Sequence, residues 1–115
     1  MIHSKVYQKL NFLLHLKDAS VPERQNMLSN LTQGQVEAIR EVAMRVVNGV
    51  INPMRRDVEA FQRKRLVLRS LASSRVSHRR KKTTIQRHHT MIPALLRTRY
   101  LIRTIIDEIR TAREA

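Results

Sequence analysis

The segment VSHRRKKTTIQRHH, residues 76 to 89, crowds Arg79, Arg80, Lys81, Lys82 and Arg87 together with His78, His88 and His89, and it holds no carboxylate. Like charges at this density repel one another and oppose compaction, so a partner carrying negative charge is expected. The chemistry available is phosphate neutralisation: each Lys or Arg that pairs with a phosphate releases condensed counterions, and binding then weakens steeply as salt rises. About eight such contacts would give a log-log salt slope near −7. Histidines add a proton below about pH 6.5 and can touch phosphates or bases. The expected nucleic-acid contacts are Arg63, Lys64, Arg69, Arg75, Arg79, Arg80, Lys81, Lys82, Arg87, His88 and His89.

Other chemistries have little to work with. Ser77-His78 and His88-His89 are sequence neighbours, and adjacent side chains on a helix point about 100 degrees apart, so neither is a ready-made catalytic pair. Asp57/Glu59 and Asp107/Glu108 also miss the three- or four-residue spacing that shares a helix face. A metal site would need His78, His88 and His89 to converge with no cysteine and no nearby carboxylate. A glycine-rich phosphate loop is missing too. No enzymatic activity, cofactor or metal is expected.

The charge is lopsided. Residues 1–52 hold six basic and four acidic side chains, residues 53–115 seventeen and five, and thirteen Lys and Arg stand between Glu59 and Asp107 without one acid. A near-neutral half can pack while a basic half binds. At 115 residues and 42% apolar content the chain suits one small ordered domain. The absence of cysteine rules out disulfides and fits an intracellular or virion-interior setting. No secretory signal is expected, and no window approaches the roughly eighteen uncharged apolar residues of a membrane span.

The elements that must carry these cations read as helices. Apolar residues spaced by three or four predict a first helix over 3–17. Ser20 with Glu23 forms a capping box for a second helix to about Asn30, and Thr32 with Gln35 repeats it. After Thr32, Val36, Ile39, Val42, Ala43, Val46, Val47 and Val50 share an arc of about 140 degrees, which marks the clearest core helix. Asn48-Gly49 supplies its stop. Asn52 is expected to cap a fourth helix over 53–72, with Pro53 in its first position and Met54, Val58, Phe61, Leu68 and Ala72 on one side, interrupted by Arg65. Ser77 is expected to cap a short basic helix over 78–88. A last helix over 91–112 would carry Met91, Leu95, Ile102, Ile105, Ile106 and Ile109 on one face, as a partner-binding strip. The fold expected is all-α, a small bundle of about five to six helices. Residues 1–72 form its core, 73–90 a basic linker or short helix, and 91–115 a C-terminal amphipathic helix, within a single domain.

The order of VSHRRKK, then IQR, then MIPALL resembles the small basic proteins of adintoviruses and Polinton elements. Those are in turn similar to the adenovirus core protein X, in which a SHRR block precedes an ILPLL-like segment. VEAIREVAMRVVNGVINP and LRSLASSRVS are similar to the helix order and the NG/NP break of the Polinton-type proteins, so the likeness covers about residues 10–97, with 70–96 its specific part. The resemblance implies a virion core protein that condenses the viral genome, found in the virion interior and the host nucleus. Its basic block would be Arg75, Arg79, Arg80, Lys81, Lys82 and Arg87. The chain departs from the pattern at His88, His89 and Thr90, where glycines are usual. It departs again at RTRYLIRTIIDEIRTAREA, where those proteins carry an uncharged glycine-rich tail, and no maturation-protease site of the adenovirus type stands in it.

Two functions follow. The first is a nucleic-acid-binding protein that neutralises and condenses duplex DNA. With two Tyr, two Phe and no Trp it is poorly equipped to stack single-stranded bases, so duplex DNA is favoured over RNA. It has neither zinc-finger spacing nor a leucine zipper, so binding is expected to be indifferent to sequence. The alternative is an interaction adaptor whose amphipathic C-terminal helix docks on a partner protein, on a second copy of the chain or, less favoured, on an anionic membrane. A ribosomal or RNA-chaperone role is compatible with the same composition.

Overall fold

The computed structural model describes residues 8–49 and 52–98 together with Asp107, Arg110, Thr111 and Arg113. Among them there are seven α-helices and no strand: α1 Leu10–Asp18, α2 Val21–Ser29, α3 Gln33–Val47, α4 Val58–Arg63, α5 Arg65–Ala72, α6 His78–Arg87 and α7 Ile92–Leu96, with 3-10 turns at Arg55–Asp57 and His89–Met91. The all-α fold stands as expected, and the helix count exceeds the expected five to six.

Side-chain hydrogen bonds cap three of the seven helix starts, those of α2, α3 and α6. The Ser20 hydroxyl accepts from the Glu23 amide at 3.4 Å. Thr32 and Gln35 close a reciprocal box, with the Gln35 amide on the Thr32 hydroxyl at 3.2 Å and the Thr32 amide on Gln35 Oε1 at 3.0 Å. These bonds satisfy amides that the first turn of a helix otherwise leaves open. Gly49 ends α3 at φ 74°, a left-handed conformation that glycine adopts without steric cost.

One core joins the helices. Val36, Ala38, Ile39, Val42 and Ala43 of α3 face Leu68 and Leu71 of α5, the most extensive helix pair in the fold. Leu13 and Leu16 of α1 pack against α7. All five residues of α7 are buried, because a segment that is apolar all round can be accommodated only with protein on every side.

Two stretches differ from expectation. The helix predicted over 53–72 is broken: Asn52 to Met54 have no regular secondary structure, with Met54 extended, the chain turns 3-10 at Arg55, and Lys64 (φ −104°, ψ 17°) separates α4 from α5. Asn52 therefore caps nothing and Pro53 opens no helix; Arg65 becomes an exposed first residue of α5. The helix predicted from 91 stops at Leu96, where the Arg97 amide bonds back to the Pro93 carbonyl at 2.9 Å. Met91 and Leu95 are consequently core residues, not part of an outward strip. Ile102, Ile105, Ile106 and Ile109, the early part of the first predicted helix, and Val50 lie outside the described residues. Among the described residues no helix is long and apolar enough to cross a membrane.

Candidate nucleic-acid interface

The basic block lies on α6, which begins where expected: the Ser77 hydroxyl accepts the Arg80 amide at 3.2 Å. Its one apolar anchor is Ile85, fully buried against the core. At the other end Gln86 donates to the Leu28 carbonyl at 2.9 Å, tying α6 to the last turn of α2, whose terminal carbonyls lack partners within their own helix.

Rotation about the helix axis then sorts the block. Lys81 stands one turn before Ile85 and shares its inward face; it is only 3% exposed. Arg79, Thr83 and Arg87 follow each other at four-residue steps, and with Arg80 they fall in an exposed arc of about 100 degrees. Lys82 is half-buried between these two faces. A helix cannot turn RRKK to one partner at once, so Lys81 leaves the set of expected phosphate contacts. Burial, then the nearby Arg40, holds the Lys81 ammonium below its usual pKa, and Glu37 opposes the shift.

The remaining expected contacts come from three elements. Arg63 is exposed at the end of α4, Arg69 is exposed on α5, and Arg75 is exposed before α6. α5 and α6 pack directly on one another. Lys64, at the break between α4 and α5, donates to Nδ1 of His88 at 3.4 Å, so the end of α6 and the α4–α5 break meet. Burial first, then Lys64 and Arg87, hold His88 below the usual imidazole range, in keeping with an unprotonated Nδ1 that accepts from lysine. His89 is half-buried, with Nε2 3.4 Å from the Gln25 amide nitrogen and a buried Nδ1 that has no partner among the described residues. These two histidines are thus fixed in the fold to a degree their place in a basic run does not suggest.

None of Arg63, Arg69, Arg75, Arg79, Arg80, Lys82 and Arg87 has an ion pair or a side-chain hydrogen bond among the described residues. The ion pairs that do form lie elsewhere. Arg40 meets Glu37 at 2.9 Å on α3, and Arg97 meets Asp57 at 2.9 Å beside α7. Arg65 is a further exposed cation, unpaired among the described residues, that sequence reasoning placed on the core side, because the break at Lys64 was not foreseen. Among the described residues no group of three His, Asp or Glu could hold a metal ion. Compared with protein-family models, curated proteins and solved structures, the chain matches none.

Proposed function

We propose that the chain binds nucleic acid through the phosphate backbone, without sequence preference, and that it neutralises and condenses duplex DNA. The observation that carries this reading is the outward arc of α6: among the described residues the side chains of Arg79, Arg80 and Arg87 have no acceptor. Mutual repulsion of these groups works against compaction, and a polyanion removes it. Arg63, Lys64, Arg69, Arg75 and Lys82 extend the contact set to eight cations, which predicts a log-log salt slope near −7. An exposed helical face suits the regular backbone of a duplex, and the near absence of aromatic residues argues against stacking on single strands.

The likeness of residues 70–96 to the basic proteins of adintoviruses and Polintons supports the narrower reading of a virion core protein that packages a genome, active in the virion interior and the host nucleus. The adaptor reading is left with fewer residues, since Met91 and Leu95 are occupied in the core. Filter binding of the purified protein to duplex DNA, RNA and anionic liposomes at several salt concentrations tests the proposal. Tight duplex binding with a steep salt dependence is expected. Failure to bind either polynucleotide at low salt overturns it, and liposome binding alone selects the adaptor.

A further inference from the structure

Between α4, the 3-10 turn at His89–Met91 and α7 lies a cleft of about 500 Å³. Its rim holds three permanent cations from separate points of the chain: Arg63 closing α4, Lys64 at the break, and Arg97 just past α7. Against them stands one carboxylate, Asp57, and it is already bonded to Arg97. That pair is engaged at one end only. Asp57 Oδ2 and Arg97 Nε are both buried and have no hydrogen-bond partner among the described residues, although Asp57 is just 6% exposed. Thr90 adds a hydroxyl to the lining, while Met91 and two alanines make the rest of it apolar.

Three cations against one carboxylate leave two positive charges unneutralised around a concavity. A phosphodiester carries one negative charge; a phosphomonoester carries about 1.5 to 2 at pH 7, which matches. Arginine forks grip such a group through paired hydrogen bonds. The volume far exceeds what a bare phosphate fills and lies in the range of pockets that take small organic ligands, and the apolar part of the lining needs an organic body against it. We propose that this cleft binds a nucleoside 5′-monophosphate, either free or as the 5′-phosphorylated end of a strand, with Arg63, Lys64 and Arg97 on the phosphate. The cleft shares Arg63 and Lys64 with the proposed duplex contacts, but it contains no residue of the outward arc of α6 and does not require duplex binding there.

The test is calorimetric titration of the full chain at low salt. The probes are a nucleoside 5′-monophosphate, the same nucleoside without phosphate, inorganic phosphate, and one oligonucleotide with a 5′-phosphate or a 5′-hydroxyl. The monophosphate is expected to bind at least about tenfold more tightly than either the nucleoside or inorganic phosphate. Arg63→Gln/Lys64→Gln should weaken it by about tenfold or more, and Arg79→Ala/Arg80→Ala should leave it within about twofold. Asp57→Asn, which removes the competing carboxylate, should tighten it. If Arg63→Gln/Lys64→Gln melts early, Arg63→Gln alone carries the comparison, because Arg63 is exposed and has no partner among the described residues. Preference for the 5′-phosphate oligonucleotide over its 5′-hydroxyl counterpart identifies a strand end as the source, and equal binding of the two beside tight binding of the monophosphate identifies a free nucleotide. Equal binding of monophosphate, nucleoside and inorganic phosphate, or binding unmoved by Arg63→Gln, overturns the proposal. Duplex binding through α6 can persist in either outcome, so the two readings fail separately.

Discussion

Helices α3 and α6 begin in the same way, with a hydroxyl on a first-turn amide, and both reach the core, yet they treat their cations in opposite ways. On α3, Arg40 donates to Glu37 at 2.9 Å and to the Ala72 carbonyl of α5 at 3.3 Å, so its charge helps fasten two helices together. On α6, the side chains of Arg79, Arg80 and Arg87 touch no acceptor among the described residues. α3 contributes five buried residues to the core, whereas α6 contributes Ile85 and the inward Lys81. A cation recruited to hold a fold has an acceptor within reach, and it need not be exposed. Among the described residues the α6 arginines have no such acceptor, and they are exposed.

Substitutions can break or sharpen this contrast. The largest effect is expected from Ile85→Ala, which removes the sole apolar anchor of α6 and should lower stability by about 3 kcal/mol. Amide exchange should then accelerate in α6 well before α3; equal acceleration in both would mean that α6 is no more loosely held than α3. Arg40→Ala should lower the unfolding free energy by about 1.5 kcal/mol, through lost charge-assisted bonds, and leave the salt slope of binding untouched. Ser77→Ala should lower stability by about 1 kcal/mol, read by chemical denaturation.

Lys81→Met should raise stability by about 1 kcal/mol, since it keeps the aliphatic stem and removes a charge that burial disfavours. The sign follows from its depressed pKa. The wild type is penalised while Lys81 is charged and gains stability as pH rises through the folded value towards 10.5, and the methionine variant lacks that gain. His88 gives the smallest effect, in a different window. Its folded pKa is below 6.5, so the stability it contributes is complete above 6.5 and is lost as pH falls through the folded value. His88→Gln should flatten that part of a melting curve series. Glu23, whose carboxyl is held low by hydrogen bonds from His15 and Ser20, contributes stability that is complete above 4.5 and is lost as pH falls through its lowered value.

The parts of the fold legible in the sequence are those decided within about one helical turn. Ser20, Thr32 and Ser77 cap where their spacing says, and Gly49 ends α3, because each bond closes over three or four residues. The valine stripe of α3 is equally plain, for periodicity is local. What escaped depends on distant partners. The break at Lys64 and the end of α7 at Leu96 carry no glycine and no following proline, and they arise where the chain packs against remote elements. Arg97 and Asp57 are forty residues apart, and nothing local announces their bond. The burial of Lys81 is an intermediate case. Its four-residue offset from Ile85 was available in the sequence, but RRKK reads as one patch until it is wound onto a helix.

The central claim is that the outward arc of α6 neutralises phosphates. Its most direct test is the salt dependence of duplex DNA affinity for the wild type beside Arg79→Ala/Arg80→Ala/Arg87→Ala, with melting temperature monitored in both. The account predicts a log-log slope shallower by about three and an unaltered melting temperature. An unchanged slope in a fully folded variant would contradict it.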